Sequence, residues 1–240
     1  MITKCKALWQ KTFGDTKETV DAFFATAYKP ENIQQIWNDE KLISALYWLD
    51  WYREEEKFAY IYAVATDEAY RGKGYGRALM EQTHRTLQSR GYAGAIVVPA
   101  EQGLVNMYKK LGYQTFYYAK SQEILSTTPC PIAEISWQAY AEQRKKLQPN
   151  DLQPSGAVYG YLATFARFYQ GEDALFCVAN REDTAYFQEF IGNYERLPGI
   201  ISSLNARKGI VRVVDERNTF AMYYPLTEPQ APTYFALPLD

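Results

Sequence analysis

Residues 60–82 read YIYAVATDEAYRGKGYGRALMEQ: a run suited to a buried strand, three glycines at every second position, then a helix. The glycines are Gly72, Gly74 and Gly76. A glycine-rich turn between a strand and a helix directs unpaired backbone N–H groups at one point, and the helix dipole adds positive potential there. Glycine also permits a positive φ and leaves no Cβ in the way of a ligand. The stretch therefore predicts an anion-binding site.

The residues beside the glycines favour phosphate as the anion, because Arg71, Lys73 and Arg77 add positive charge. Two common phosphate motifs are excluded. The dinucleotide fingerprint G-x-G-x-x-G requires a glycine at 77 or 79, where the sequence has Arg77 and Leu79. The GxxxxGK[ST] loop also fails, because Lys73 is followed by Gly74.

Helices and strands alternate along the first 120 residues. KALWQKTFG predicts a helix ended by Gly14, and Asp15 with Glu18 resembles an acidic capping box that opens a second helix. IQQIWNDEK and LISALYWLDWYREEE predict a hairpin, and FAYIYAVAT predicts a third strand. A helix from about 74 to 90, the strand GAIVVPA, a helix in EQGLVNMYKKLGY and the strand QTFYYAK follow. This order predicts a mixed α/β sheet.

The composition of the chain shifts after this region. A helix from Ser136 to about Leu147 leads into QPNDLQPSG, the predicted domain boundary. AVYGYLATFARFYQ predicts a helix, ALFCVANRED and TAYFQEFIGN a hairpin, YERLPGIISSLNA a short helix, and GIVRVVDE, TFAMYYPL and TYFALPLD strands. We therefore predict domains at 1–135 and 157–240, joined by a helix and linker at 136–156.

Charge and hydropathy exclude two classes of partner. The chain has 26 basic and 28 acidic residues, a net charge of −2 and no basic block, which argues against nucleic-acid binding. No apolar run approaches the roughly 20 residues that a membrane span needs. We therefore expect neither a nucleic-acid nor a membrane partner.

Cysteine and histidine usage argue against a metal site. Cys5, Cys130 and Cys177 are scattered without a CxxC pair, and the only histidine is His84. We expect His84 to have a packed or solvated structural role in its helix. An odd number of cysteines without a signal peptide predicts a reduced, cytoplasmic protein.

The glycine stretch resembles a known family. Residues 71–76, RGKGYG, match the R/Q-x-x-G-x-G/A signature of the GNAT superfamily of acyl-CoA N-acyltransferases. LVNMYKKLGYQTF is similar to that superfamily's Y-x-k-l-G-F helix and strand, at a typical distance downstream. The resemblance covers roughly residues 10–120. The second half lacks the signature and looks like the degenerate half of tandem GNAT proteins, which implies a second, smaller GNAT-like α/β domain.

This resemblance implies an acetyl-CoA-dependent N-acetyltransferase that passes an acetyl group directly to a primary amine. The acceptor would be a small-molecule or peptide amine. For the oligomeric state, a homodimer is an alternative to a monomer. No metal is implied. The residues implied to bind coenzyme A are Val64, Ala65, Thr66, Arg71, Gly72, Lys73, Gly74, Tyr75, Gly76 and Arg77.

Tyr108 stands at the family's frequent general-acid position, where a phenol O–H would stabilise the departing thiolate. The alternative is core packing, because the helical period predicts that Tyr108 faces inward with Leu104, Met107 and Leu111.

The general base is not identified. Some family members carry a carboxylate midway along the strand before the glycines, where this chain has Tyr60 and Tyr62. The alternatives for the proton acceptor are water, Tyr60, Glu101, Glu189 and Asp240. A non-catalytic acyl-CoA-binding sensor or partner module therefore remains an alternative, as does an interaction module without coenzyme A.

Overall fold

The computed structural model describes residues 1–227 and 230–239. Contacts divide the chain into two compact units. The first holds Met1–Gln114, Pro154–Tyr161 and Met222–Ala231, and the second holds Thr115–Gln153, Leu162–Ala221 and Pro232–Asp240. This division differs from the predicted bounds, because residues 115–135 group with the second unit and the chain returns twice to the first.

The elements that begin the chain belong to the first unit, and a short segment further on adds one helix to it. In chain order they are α1 (Ile2–Phe13), α2 (Lys17–Thr26), β1 (Ile33–Asn38), β2 (Lys41–Arg53), β3 (Glu56–Thr66), α3 (Tyr75–Ser89), β4 (Gly94–Val97), α4 (Gln102–Lys110) and α6 (Gly156–Leu162).

The remaining elements lie mainly in the second unit. They are β5 (Gln114–Leu125), β6 (Ile132–Ile135), α5 (Trp137–Leu147), β7 (Gln153–Pro154), β8 (Arg167–Gly171), β9 (Ala174–Arg181), β10 (Thr184–Gly192), α7 (Leu197–Ser203) and β11 (Lys208–Pro225). The end of β11 belongs to the first unit.

The first unit has the predicted mixed sheet. β1 and β2 form the predicted antiparallel hairpin, β2 pairs antiparallel with β3, and β3 pairs parallel with β4. The other edge of β4 pairs antiparallel with residues 222–225 of β11. On one face, Leu79, Met80 and Leu87 of α3 join Tyr108 and Met222 in a single apolar core cluster. The predicted helix at about 74–90 therefore packs one apolar face against the sheet.

The start of α2 differs from the predicted capping box. Thr16, not Asp15, is the N-cap, and its Oγ1 accepts a hydrogen bond from the Thr19 N–H at 3.2 Å. Asp15 instead accepts a hydrogen bond from Nε1 of Trp9 at 2.7 Å. A buried indole N–H needs an acceptor, and the neighbouring carboxylate meets that need while threonine caps the helix.

The second unit contains the predicted β9–β10 hairpin and α5, whose N-cap is Ser136. The prediction of one helix through AVYGYLATFARFYQ is wrong, because α6 ends at Leu162 and β8 begins at Arg167. Exposure alternates there, with Ala166 and Phe168 buried around an exposed Arg167. This two-residue period is that of a strand and not of a helix.

Two predictions near the end of the chain also need correction. GIVRVVDE and TFAMYYPL form the single strand β11 rather than two strands. TYFALPLD is not a strand within residues 230–239, and Asp240 lies outside the described residues. Leu237 has a φ of 55°, which a regular strand cannot include.

His84 has the packed role expected of it. It is buried on α3, its Nε2 lies 2.9 Å from the hydroxyl of Tyr113, and its ring stacks on Tyr224 with centroids 4.0 Å apart. Burial lowers the pKa of His84 from its ordinary 6.5 to about 4. The imidazole is therefore neutral at physiological pH.

None of the helices within the described ranges is both long and apolar enough to span a membrane.

Candidate functional site

The glycine loop leads from β3 into α3. A 3₁₀ turn at Glu68–Tyr70 follows β3, and Gly72 and Gly74 then take positive φ angles of 74° and 84°. Gly74 is the N-cap of α3, where no side chain caps the helix. The N–H of Ala78 makes the first helical bond, to the carbonyl of Gly74. The N–H groups of residues 75–77 therefore have no partner within the helix and lie at its positive end.

Gly76 serves a different purpose from the other two glycines. Its φ is not positive, and a Cβ there would lie 3.8 Å from Oγ1 of Thr66, an ordinary contact distance. Glycine at this position therefore keeps the surface between the end of β3 and the start of α3 open, rather than relieving strain.

The three predicted cations are exposed and are tied to the loop or to its helix. Nε of Arg71 donates to the Thr66 carbonyl at 3.2 Å, and Nζ of Lys73 donates to the Ala69 carbonyl at 3.0 Å. Nε of Arg77 pairs with Glu81 at 2.9 Å. An exposed pair four residues apart on a helix contributes only about 0.3–0.5 kcal/mol, so Arg77 can turn to an anion at little cost.

Sequence reasoning missed two residues beside this loop. Nζ of Lys41 lies 4.8 Å from the centroid of the Tyr70 ring, and Nζ of Lys73 lies 5.2 Å from it. Lys41 also lies 3.4 Å from Oδ2 of Asp67, the residue that caps the 3₁₀ turn. Lys41 is the first residue of β2, far from the loop in sequence, so no local pattern could link it to the loop.

β3 and β4 pair only briefly, which leaves one edge of β3 open. Their parallel register runs from Phe58 opposite Gly94 to Tyr60 opposite Ile96. β4 ends at Val97, whereas β3 continues to Thr66. Within the described part of the chain, no strand pairs with this edge of β3 beyond Tyr60. An extended ligand could hydrogen-bond to such an edge.

A β-bulge lies in this open part of β3. The register with β2 shifts between Ala45 and Tyr47, and Ala63 on β3 has a φ of 49°. Alanine rarely adopts this conformation, and β-bulges are frequent beside active sites. The bulge precedes Val64, Ala65 and Thr66, which the resemblance implies bind coenzyme A. A positive φ at alanine has no sequence signature, so this feature could not be foreseen.

The three residues after the bulge make different contacts. The carbonyl of Ala65 accepts a hydrogen bond from Oγ of Ser44 at 2.7 Å and so faces β2. Oγ1 of Thr66 lies 2.8 Å from the same hydroxyl, and the Thr66 carbonyl accepts from Arg71. Val64 packs partly buried against the core. The coenzyme A contacts of all three stay a prediction.

Tyr108 lies on α4 in the core of the first unit. It is 6% exposed, and its ring lies 5.4 Å from that of Tyr113. Burial raises the pKa of its phenol to about 12. Among the described residues its hydroxyl has no hydrogen-bond partner. The ring is packed in the core, and the general-acid role of the hydroxyl stays a prediction.

The inward face of α4 is partly different from the predicted one. Met107, predicted to face inward, is 36% exposed, whereas Val105 is 2% exposed and joins the core. Leu104 and Leu111 pack partly buried against the same cluster. The stripe is centred between Val105 and Tyr108, and Met107 lies roughly 100° around the helix from Tyr108, outside the stripe.

The candidate bases lie in different places. Glu101 is the exposed N-cap residue of α4, and Tyr60 is buried on β3. Glu189 is buried in the second unit, where Arg144 donates to both of its carboxylate oxygens. Asp240 lies outside the described residues. Across residues 1–227 and 230–239, no cluster of three or more histidine, cysteine or acidic side chains could hold a metal ion.

Comparison with protein families identifies the domain that contains the loop and the open strand edge. A model of the acetyltransferase (GNAT) domain matches residues 1–116. The chain has a GNAT domain. Acyl transfer is the chemistry of this family, and the resemblance drawn from the sequence is confirmed. No functionally curated protein matches the sequence.

Solved structures share the GNAT fold. A GCN5-related N-acetyltransferase from Kribbella flavida has a TM-score of 0.70 at 14% identity, over 94% of this chain and 69% of that one. One from Anabaena variabilis has a TM-score of 0.70 at 16% identity, over 94% and 70%. A tandem GNAT protein from the clavulanic acid biosynthesis pathway has a TM-score of 0.54 at 9% identity, over 90% of each chain. At these identities the likeness shows the fold alone.

Proposed function

We propose that the chain is an N-acetyltransferase that transfers an acetyl group from acetyl-CoA to a primary amine by direct attack. The observation that carries this proposal is the glycine loop at the start of α3, next to the open edge of β3. A pyrophosphate suits the uncapped N–H groups of residues 75–77, and an extended pantetheine arm suits the strand edge.

The residues around this site can be given roles. Gly72 and Gly74 hold the loop in a conformation that other residues adopt only with strain, and Arg77 adds charge for the pyrophosphate. We assign Val64 and Thr66, at the end of β3, to contacts with the pantetheine arm. Tyr108 has an unpartnered hydroxyl for the leaving thiolate.

The reaction needs no covalent enzyme intermediate. A neutral amine attacks the thioester carbonyl, a C–N bond forms and the C–S bond breaks. The proton of Tyr108 passes to the thiolate and is replaced from solvent, and the proton lost by the amine passes to water or to a base. The acceptor class we propose is a primary amine of a small molecule or peptide.

The cysteine chemistry agrees with a reducing compartment. Cys5, Cys130 and Cys177 are all free thiols, and we therefore propose a cytoplasmic location.

Two measurements test this function. Calorimetric titration with acetyl-CoA is expected to show binding, and a thiol-release assay over an amine library is expected to show turnover with at least one primary amine. Binding without turnover across the library would favour the non-catalytic acyl-CoA-binding alternative. Absence of binding would overturn the proposal.

A further inference from the structure

The second unit repeats the brief strand pairing seen beside the glycine loop. β10 pairs parallel with β11 only from Thr184 opposite Lys208 to Tyr186 opposite Ile210, and β10 then continues to Gly192. The register of β10 with β9 shifts between Phe187 and Glu189, just after this pairing ends. The second unit therefore has the same kind of opening beside β10 that the first unit has beside β3.

In the second unit the backbone at this opening is already engaged. The carbonyl of Gln188, the residue in the register shift, accepts a hydrogen bond from the Leu237 N–H at 3.2 Å. Nη1 of Arg212 lies 3.4 Å from the Phe187 carbonyl and 3.5 Å from the Gln188 carbonyl. Residues from further along the chain thus occupy acceptors that an extended ligand would need.

Side chains anchor the same C-terminal segment. The hydroxyl of Tyr234 donates to Oε1 of Glu189 at 3.1 Å, and Oγ1 of Thr233 lies 3.4 Å from Oδ1 of Asp151. Phe235 is 1% exposed and Leu237 is not exposed at all. The segment is therefore buried within the second unit by apolar contact as well as by hydrogen bonds.

The acceptor of the Tyr234 hydrogen bond is itself held rigidly. Nε and Nη2 of Arg144 donate to the Glu189 carboxylate at 2.8 and 2.9 Å, and the Tyr140 hydroxyl donates to it at 2.6 Å. Arg144 and Glu189 have fully buried side chains. A buried ion pair is stable only when its remaining hydrogen-bonding positions are filled, and Tyr234 fills one of them.

The helix that follows β10 offers little to a pyrophosphate. A 3₁₀ turn at Tyr194–Arg196 leads directly into α7, and Pro198 in the first turn of α7 lacks an N–H. Glu195 adds a negative charge in the turn. At the start of α7, a proline and an acidic residue thus take the place of the glycines and basic residues that suit the start of α3 to an anion.

We propose that residues 232–239 close the opening of the second unit in cis, so that each chain has a single acyl-CoA site, in the first unit. The segment takes the place beside β10 that an acyl-CoA arm would take beside β3. The inference that each chain has one acyl-CoA site rests on the proposed function. The inference that residues 232–239 close the opening does not.

Hydrogen exchange tests the closure without any ligand. Peptides covering 232–239 are expected to exchange clearly more slowly than an unstructured peptide, and to keep that protection when acetyl-CoA is added. Exchange as fast as in an unstructured peptide, or release of the segment by acetyl-CoA, would overturn the closure.

A pair of tyrosine variants shows whether the anchor matters. Tyr234→Phe removes the hydrogen bond to Glu189, and we expect exchange in 232–239 to accelerate by roughly tenfold. Tyr118→Phe, at an exposed tyrosine of the same unit, is the control and is expected to leave the rate unchanged. Equal rates in Tyr234→Phe and the unsubstituted chain would count against the anchoring role.

Calorimetry with acetyl-CoA then gives the number of sites. One site per chain supports the proposal, and two sites would overturn it even if the segment is protected. If no acetyl-CoA binds, the proposed function fails, and the exchange rates alone decide whether the opening is closed.

Discussion

Tyr108 is the residue on which the proposed chemistry depends most directly. Replacing it by phenylalanine keeps the packed ring and removes only the hydroxyl, so the fold is expected to be retained. We expect turnover to fall by roughly 10²–10³-fold, the usual cost of losing one donor that stabilises developing negative charge. The dissociation constant of acetyl-CoA, measured by calorimetry, is expected to change less than twofold.

Tyr113 supplies the matched control for this variant. It is buried in the same cluster, but its hydroxyl contacts His84 rather than remaining unpartnered. Tyr113→Phe is expected to lower the free energy of unfolding by about 1 kcal/mol without affecting turnover of the folded enzyme. Equal loss of turnover in both variants would show that packing, not proton donation, explains the effect at Tyr108.

His84 makes the stability of the protein depend on pH. Its pKa is about 4 in the folded state against an ordinary 6.5, because burial disfavours the charged ring. The stability contributed by the neutral imidazole is fully present above pH 6.5. It is lost as the pH falls from 6.5 towards 4, because only the unfolded chain takes up the proton there. The total loss is about 3 kcal/mol.

Urea denaturation at several pH values between 5 and 7 checks this expectation. His84→Gln removes the only imidazole of the chain. It is therefore expected to reduce the number of protons taken up on unfolding in this range by up to about one, which flattens the plot of unfolding free energy against pH. The carboxylates that titrate at lower pH serve as the internal control, since their effect persists in the variant. An unchanged slope would assign the pH dependence to those carboxylates instead.

At the scale of elements, the two ends of α3 provide a comparison between a glycine that we propose binds a ligand and one for which we propose no ligand. Gly74 and Gly91 have φ angles of 84° and 72°, and a Cβ on either would meet nothing within 4 Å. Alanine at either position costs about 1–2 kcal/mol through the left-handed backbone alone. Only Gly74 lies in the predicted phosphate loop.

We therefore expect Gly74→Ala and Gly91→Ala to lower the free energy of unfolding by similar amounts. Gly74→Ala is expected to weaken acetyl-CoA binding by at least tenfold, and Gly91→Ala to leave it unchanged. Thermal unfolding and calorimetry on both variants measure the two effects separately. Equal affinities would mean that the loop conformation is not used for binding.

Elements with local signals could be predicted from the sequence, and those defined by distant contacts could not. The glycines around α3, the β1–β2 hairpin and Ser136 before α5 all act within a few residues, and the structure contains each of them. Met107 was misplaced because the helical period tolerates more than one inward stripe. Lys41 joins the loop only through tertiary folding. The segment 232–239 reads as a strand until its contacts with Gln188 and Glu189 are known.

At the scale of the whole molecule, the first unit needs residues from the end of the chain. Met222 is fully buried in its core and pairs with Val97 of β4. A fragment ending at residue 135, the predicted end of the first domain, would lack this strand as well as residues 154–161. We expect such a fragment to be unfolded or aggregated, as judged by circular dichroism and by the dispersion of its NMR spectrum.

Coexpression provides the control for this fragment. Residues 1–135 produced together with residues 136–240 are expected to assemble into a folded, copurifying pair, because every strand of the first sheet is then present. A fragment 1–135 that folds cooperatively alone would show that residues 222–225 add to a finished unit rather than complete it.

The position of β11 has a consequence for synthesis. At roughly 5–20 residues per second, the ribosome needs roughly 6–25 seconds to pass from residue 97 to residue 222. Throughout that interval the apolar strand β4 has an unpaired edge, which is an opportunity for association between nascent chains. The yield of native protein will therefore depend on translation speed and on chaperones at the ribosome, and a pause late in the message will lower it.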